Sequence, residues 1–429
     1  MIPSFININS DFSDYDCGNG VLMRLFDNVD TDSFQLACNQ AESNGFALYD
    51  SRDIEENFHR SYRKDSLLIY IYYCTAEKKL RVISDSFSDT YAVEKQSFEV
   101  RTKSRLWQFE NDHTFIDCGM CFILQCADNS FFILDSGHYL QFNDHKRIYR
   151  FLKERTPANE KTVIAGWFFS HAHDDHICQF ISFLNEKRDD VIIEKLYFNT
   201  VPTDHRDSHN WNEWNKKYMR DFENAALSSG LPIVKVHTGQ KIFIRNIEVD
   251  VLCTHEDTFP QSLKDYNNSS AVYMLTVDGC RIFLPGDASD VESDIMTERY
   301  TEKTLSCDIL QQAHHGHHGT SVEFYKMCNA DVVLFPTTQI KYDEEYEKIE
   351  ANRVSVDIAK ECYIASNGTV ELSLPYTPGT AKLLPDETFE NFDRIKELWG
   401  YDYTEERKQD LFISFLKRSG LPNREDINP

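Results

Sequence analysis

The sequence lacks an excess of positive charge. Its 429 residues include 45 Lys and Arg against 70 Asp and Glu, which gives a formal net charge of −25. Nonspecific nucleic-acid binding depends on a broad basic face, so the composition argues against a protein that binds nucleic acid through such a face. It does not exclude a nucleic-acid substrate, because bound divalent cations can reverse the local field at a site.

Long apolar runs are also missing, and we expect no secretion leader. No stretch approaches the roughly 20 apolar residues that a membrane helix needs. The start, MIPSFININSDFSDYD, has no basic segment followed by an apolar one. Because hydrophobic residues make up 41% of the chain, we expect a folded protein. We also expect it to be cytoplasmic and to have no membrane partner. The sequence does not predict the oligomeric state.

Paired cysteine motifs are scarce. Of twelve cysteines, Cys118 and Cys121 form a lone CxxC, and the second pair that a zinc ribbon needs does not follow. In a long chain for which no leader is expected, we expect these cysteines to be reduced and buried.

The pattern divides the chain into three regions. Residues 1–110 are predicted to form a small α+β accessory domain, and capping, dimerisation and substrate gating are all open as its role. Residues 111–378 alternate strands with polar helical stretches, which favours two sheets sandwiched by helices, an αββα member of the α/β class. Residues 379–429 are predicted to be a helical C-terminal appendage.

The most informative stretch is SHAHDDHICQF, at residues 170–180. His171 and His173 follow the extended run TVIAGWFFS, so both side chains point the same way and supply half of a tetrahedral zinc site. Asp175 and His176 lie near the start of the next helix and point elsewhere, towards a possible second ion. Two neighbouring sites from one loop are what a two-metal hydrolase requires.

Three other stretches place metal-ligand residues at strand ends. Asp135 ends FFILDSG, Asp287 ends RIFLPGDAS, and His314 and His315 end ILQQAHHG. Acidic and imidazole groups that converge from several strand ends are typical of a site assembled on a sheet.

With these motifs in this order, the sequence resembles the metallo-β-lactamase superfamily, whose HxHxDH motif matches residues 171–176. The later half looks most like the hydrolase domain of bacterial DNA-uptake (competence) channel proteins, and it is also similar to the choline-phosphate esterase branch. The resemblance implies an αββα fold that holds one or two zinc or manganese ions.

The resemblance also implies a set of ligands. They are His171 and His173 for the first ion, Asp175, His176 and His314 for the second, and Asp287 as a bridge between the two ions.

Three further residues are implied to support the ligands or to face the substrate. Asp135 would orient the HxHxDH loop from behind, a role that matters in metal sites. His315, the neighbour of the implied ligand, and Asn268 would support the ligands or face the substrate.

One departure from the superfamily pattern concerns the first ion. The superfamily usually supplies another histidine between the HxHxDH and GD motifs, whereas this chain has DYNNSSAV there, with Asn267 and Asn268. His255 is a possible substitute. Amide oxygen is a poor zinc ligand but is acceptable to a harder ion such as manganese.

The predicted function is metal-dependent hydrolysis by a metal-bound hydroxide. Bound ions lower the pKa of a water molecule to about 7, and Asp175 or Asp287 would steer it as the catalytic carboxylates. The expected partner is a small or locally docked phosphodiester or related phosphate ester. The alternatives are a thioester or amide substrate and a non-catalytic metal-binding scaffold. His205 and His209, with Trp211 and Trp214, are candidates for a pocket entrance or for a plain surface loop.

Overall fold

The computed structural model describes residues 4–85, 89–113, 116–202, 213–258, 263, 266–346 and 348–384. The predicted C-terminal appendage from residue 385 onward, and His205, His209 and Trp211, lie outside the described residues. Among the described helices, none is both long and apolar enough to cross a membrane.

The strands of the described residues have the following bounds. They are β1 (Phe12–Asp16), β2 (Val21–Phe26), β3 (Ala47–Ile54), β4 (Asn57–Lys64), β5 (Leu67–Cys74), β6 (Lys79–Asp85), β7 (Arg105–Gln108), β8 (Cys121–Gln125), β9 (Phe131–Asp135), β10 (Thr162–Phe168), β11 (Val191–Ile193), β12 (Leu196–Tyr197), β13 (Ile233–Val234), β14 (Lys241–Ile244), β15 (Ile247–Cys253), β16 (Val272–Val277), β17 (Cys280–Leu284), β18 (Ile309–Gln311), β19 (Val332–Phe335), β20 (Glu361–Ile364), β21 (Val370–Ser373) and β22 (Lys382–Leu383).

The α-helices lie between these strands. They are α1 (Thr31–Ser43), α2 (Asp144–Arg155), α3 (Asp174–Lys187), α4 (Glu213–Ser228), α5 (His255–Thr258), α6 (Asp290–Arg299), α7 (Glu302–Leu305), α8 (Val322–Cys328), α9 (Gln339–Glu345) and α10 (Glu350–Ile358).

The N-terminal part forms an antiparallel sheet with the order β1-β2-β6-β5-β4-β3. Strand β5 reads LLIYIYYC and is buried along most of its length, because both faces of the sheet are covered. Helix α1 packs on one face. Its N-cap residue is Asp30, whose carboxylate accepts a hydrogen bond from the Ser33 amide. The opposite face, which includes Tyr70 and Tyr72, packs against the rest of the protein.

Two mixed sheets form the centre of the molecule. The first has the order β13-β12-β10-β9-β8-β7-β21-β22, with β11 beside β10, and the second has the order β14-β15-β16-β17-β18-β19-β20. Strands β9, β10, β12 and β13 are parallel, and so are β17 to β20. The carboxyl ends of each parallel set therefore meet at one edge of its sheet.

Helices cover the outer face of each central sheet. Ile133 of the first sheet and Val249 and Ile282 of the second belong to one buried cluster between the sheets, which also takes in α2, α3 and α4. A separate cluster joins the outer face of the second sheet to α6 and α8 through residues such as Met296 and Phe324. The predicted αββα arrangement is confirmed. Strand β7 already belongs to the central sheet, and the predicted domain boundaries stay predictions.

Candidate metal centre

The HxHxDH loop runs from the end of β10 into α3. His173 is the extended N-cap residue of α3, and Asp174 and Asp175 form its first turn. Carboxylates are favourable at that end of a helix because the helix dipole is positive there. Because this loop follows the end of β10, it lies at the carboxyl edge of the first sheet. It carries His171, His173, Asp175 and His176 there.

Asp135 supports this loop from the neighbouring strand β9. Its Oδ1 accepts a hydrogen bond from the Ser170 amide, and its Oδ2 accepts one from the Ser170 hydroxyl, each at 2.8 Å. The same Oδ2 lies 2.8 Å from His176 Nδ1. The structure thus places Asp135 behind the loop.

The second sheet contributes Asp287 through a tight turn after β17. Gly286 there has φ +62°, and a Cβ at this position would lie 2.6 Å from Ser170 Cβ. Only glycine fits such an approach without strain. The Asp287 amide donates to Ser270 Oγ at 3.1 Å, which fixes the start of the loop.

His314 and His315 follow β18, which is parallel to β17 and adjacent to it. Both residues have left-handed backbone conformations, with φ values of +50° and +55°. Two successive non-glycine residues with positive φ are uncommon, and such strain concentrates at functional sites.

Four buried residues form one group of possible ligands. One ligand atom each from Asp175, His176, Asp287 and His315 lies within 4.8 Å of the others. His315 Nε2 is 3.0 Å from Asp175 Oδ2 and 3.5 Å from Asp287 Oδ2. His176 Nε2 is 3.3 Å from Asp287 Oδ2.

A second group consists of His171, His173 and Asp287, again within 4.8 Å. His171 Nε2 lies 3.9 Å from Asp287 Oδ2. His171 Nε2 and Asp287 Oδ1 are buried and have no hydrogen-bond partner. Asp287 belongs to both groups, so the two groups are adjacent.

The hydrogen bonds at Nδ1 show which nitrogen of three imidazoles faces the centre. His176 Nδ1 meets the Asp135 carboxylate, and His315 Nδ1 lies 2.7 Å from the Pro336 carbonyl. His171 Nδ1 lies 3.0 Å from Ser170 Oγ, which already donates its proton to Asp135. Each Nδ1 therefore carries a proton, and each Nε2 faces the centre.

The charges of the buried carboxylates and imidazoles depend on one another. Burial lowers the pKa of His315, but Asp287 and Asp175 outweigh it and raise the pKa to about 10. Burial likewise opposes ionisation of Asp287, yet His176 and His315 hold its pKa well below the usual range. Buried carboxylates are stable only beside a positive charge. Imidazole and carboxylate donors fit divalent ions such as zinc or manganese.

His171 differs from the other two histidines. Burial and the neighbouring His176 ring lower its pKa well below the ordinary value. A neutral imidazole is the form that binds a metal ion.

The structure places His315, rather than the predicted ligand His314, in the group with Asp175, His176 and Asp287. His314 Nε2 accepts a hydrogen bond from the Asn267 amide at 3.0 Å, and its Nδ1 lies 3.1 Å from the His318 carbonyl. The left-handed turn directs the two successive imidazoles to different surroundings. The ligand roles of the remaining predicted residues stay predictions, although the structure brings those residues together.

His255 does not supply the missing histidine to the group of His171 and His173. Its ring is buried, and Nε2 lies 3.2 Å from the Cys17 carbonyl, in contact with the N-terminal sheet. The Asn268 amide donates to Ser289 Oγ at 2.6 Å, at the N-cap of α6.

The sequence did not single out three supporting groups. Ser170, which precedes the motif, joins Asp135 to His171. The Pro336 carbonyl orients His315. Asn215 of α4 donates to His173 Nε2 at 3.1 Å. The position of Ser170 beside the motif was a usable signal, whereas the other two groups come from distant segments without one.

Trp214 lies at the start of α4, beside Asn215. Its ring packs against Tyr139 and Tyr218, with centroid separations of 5.4 and 4.9 Å. These rings border the segment that carries Asp174, since His138, next to Tyr139, lies 3.4 Å from the Asp174 carboxylate.

No protein-family model matches the chain, and no curated protein sequence matches it either. Several solved structures share part of its fold. The metallo-β-lactamase fold protein YhfI from Bacillus subtilis is 11% identical, with 61% of this chain and 97% of that chain covered and a TM-score of 0.37.

Two further matches are yeast PDE1 and a diiron β-hydroxylase. PDE1 is 13% identical, with 64% of this chain and 100% of that chain covered and a TM-score of 0.39. CmlA, the diiron β-hydroxylase from Streptomyces venezuelae, is 12% identical, with 64% of this chain and 55% of that chain covered and a TM-score of 0.39. Such low scores carry no argument about activity. None of the three is described as a DNA-uptake protein, so that finer resemblance stays a prediction.

Proposed function

We propose that this protein is a metal-dependent hydrolase of the metallo-β-lactamase superfamily and that it cleaves a phosphodiester or a related phosphate ester. The observation that carries the proposal is the pair of adjacent ligand groups that share Asp287. Two neighbouring ions are the arrangement with which many phosphatases and nucleases hold the attacking and leaving oxygens.

The residues present fit two divalent ions. His171, His173 and Asp287 would hold one, and Asp175, His176, Asp287 and His315 would hold the other. When bound, such ions lower the pKa of a water molecule and neutralise the charge that develops on a phosphate oxygen.

The chain's own groups would orient the reaction. Asp135, Ser170 and the Pro336 carbonyl fix the imidazoles, so that the ligand geometry exists before the substrate arrives. Asp175 and Asp287 offer carboxylate oxygens that would orient the attacking water by accepting its hydrogen bonds. The half-buried rings of Tyr139 and Trp214 border this segment and would limit access of bulk water.

The net charge of the protein favours one size class of substrate over another. A net charge of −25 repels a long polyanion except where bound ions reverse the field. A small phosphate ester, or one docked locally at the ions, is therefore favoured over a duplex held along a broad surface.

The test is a metal-loaded activity screen of the full chain. Zinc- and manganese-loaded protein is assayed on bis-p-nitrophenyl phosphate, a generic thioester and single-stranded nucleic acid, together with His171→Ala. We expect phosphodiester turnover that His171→Ala abolishes. His145→Asn is the control, since His145 lies on α2 and contacts Gln179 and Glu186 outside the two ligand groups. Thioester turnover alone would overturn the substrate class, and unchanged turnover in His171→Ala would overturn the mechanism.

A further inference from the structure

Two helices connect the candidate metal centre to the N-terminal sheet. Helix α4 has Asn215 in its first turn, 3.1 Å from His173 Nε2. Eight residues later, and so about 12 Å along the axis, Glu223 meets Asn19. Helix α6 begins three residues after Asp287 and ends at Arg299, which meets Glu77.

The contact at α4 comes from the turn between β1 and β2. The Asn19 side-chain amide lies 2.7 Å from Glu223 Oε1 and 2.8 Å from Thr200 Oγ1. Lys235 Nζ donates to the Asn19 carbonyl. Gly18 lies so close that a Cβ there would be 2.9 Å from the Pro202 nitrogen. The turn is therefore fitted closely to the sandwich.

The contact at α6 is a buried ion network. Glu77 Oε2 accepts hydrogen bonds from Arg81 Nη1 and Arg299 Nη2, each at 2.9 Å. Arg299 Nη1 also lies 2.8 Å from Asp257 Oδ1, which accepts from the Tyr72 hydroxyl. The arginines hold the pKa of Glu77 at about 2 against the effect of burial, so its carboxylate is charged at neutral pH.

A buried charge that loses one partner is left uncompensated, so such a network fixes the relative positions of its elements. The N-terminal sheet thus holds the end of each helix that lies away from the ligand groups, while the other end lies beside His173 or Asp287. A small displacement at a ligand position is enough to weaken metal binding.

We propose that the N-terminal sheet is a positioning unit of the metal centre, in which Asn19 sets the position of α4 and Glu77 sets that of α6. This inference rests on the proposed function for its metal-binding and kinetic readouts. Its structural readout is independent of that function. Neither Asn19 nor Glu77 is a catalytic residue, because both act through the helices.

The test uses two mild variants of the full chain with matched controls. Asn19→Gly removes the amide while glycine accepts the backbone φ of +49°. Asn28→Gly is its control, because Asn28 is exposed in the same sheet region and has φ +54°. Glu77→Gln removes the charge of the network, and Glu56→Gln, at an exposed position, is its control.

The readouts are amide hydrogen exchange in the first turn of α4 and after β17, zinc or manganese affinity, and kcat and KM separately. We expect faster exchange in α4 for Asn19→Gly and after β17 for Glu77→Gln. Metal affinity should fall roughly tenfold, with kcat reduced more than KM is changed. Both controls should match the wild type.

The outcomes separate the two proposals. Wild-type exchange at both places in both variants overturns the positioning role. A wild-type chain that binds no divalent ion overturns the proposed function, while the exchange data still decide the positioning role. If Glu77→Gln does not fold, Asn19→Gly still tests the positioning role, because that variant removes only an exposed side-chain amide.

Discussion

His315 Nε2 lies 3.0 Å from Asp175 Oδ2, although the two residues are 140 positions apart in the chain. His315 comes from the end of a strand in the second central sheet, and Asp175 comes from a helix start beside the first. The contact joins the two halves of the sandwich at the candidate metal centre, where both sheets end.

The first prediction distinguishes the two neighbouring histidines. His315→Ala should remove one ligand of the group around Asp175 and lower the zinc or manganese content of the purified protein. His314→Ala should retain the wild-type metal content, because its imidazole contacts Asn267 and the His318 carbonyl instead. Elemental analysis after dialysis measures both, and a loss in His314→Ala with none in His315→Ala would reverse the assignment.

The second prediction concerns Asp135. Asp135→Asn removes the charge that holds Ser170 and His176 and should lower metal affinity by roughly 10- to 100-fold. The control is Asp144→Asn, since Asp144, the first residue of α2, is an equally buried carboxylate that pairs with Arg147 of the same helix and accepts a hydrogen bond from the Asn111 amide. That variant should lower the melting temperature without changing metal affinity. Equal affinity losses in the two variants would indicate a general folding effect.

The third prediction uses a pair of glycines. Gly286→Ala places a Cβ 2.6 Å from Ser170 Cβ at a φ of +62°, so it should displace the Asp287 turn and sharply reduce turnover. Gly230→Ala has a similar φ of +67° but meets no atom within 4 Å. It should cost only the backbone strain, about 1–3 kcal/mol of unfolding free energy. Chemical denaturation and steady-state kinetics together check the pair, and normal turnover by Gly286→Ala would contradict the close approach.

The fourth prediction is a pH dependence of stability. Burial lowers the pKa of His237, but Glu256 and Asp85 outweigh it and raise the pKa to about 9. A histidine with a raised folded pKa stabilises the protein fully below its unfolded pKa of about 6.5. That contribution is lost as the pH rises through about 9. The melting temperature of the metal-saturated protein should therefore fall from pH 6.5 towards pH 9.

The matching variant for that experiment is His237→Gln. Glutamine has no proton to lose in this range, so the variant should be less stable at pH 6.5 and should show a shallower decline with pH. Identical slopes for the two proteins would show that His237 does not carry the effect.

The sequence predicted the layered fold and most of the residues that meet at the centre. Strands such as TVIAGWFFS and RIFLPGD combine a buried apolar run with a polar end, and parallel strands bring those ends together. His171, His173, Asp175, His176 and Asp287 were therefore candidates from the local pattern, and the resemblance to the metallo-β-lactamase superfamily implied their ligand roles.

The choice between His314 and His315 depended on a backbone conformation that the residue types do not reveal. Histidine rarely adopts a positive φ, yet both residues do so here. The contacts of Asn215 and of the Pro336 carbonyl come from tertiary packing between distant segments and leave no periodic signal. The close docking of the N-terminal sheet likewise depends on interactions such as that of Glu77 with Arg299, 222 positions apart.

The most direct test is to locate the ions themselves. Anomalous scattering from crystals of the zinc- or manganese-loaded protein should give two peaks that share Asp287. One should lie within ligand distance of His171 and His173, and the other within ligand distance of Asp175, His176 and His315. No peak beside Asp287, or ions bound only elsewhere on the acidic surface, would contradict the account.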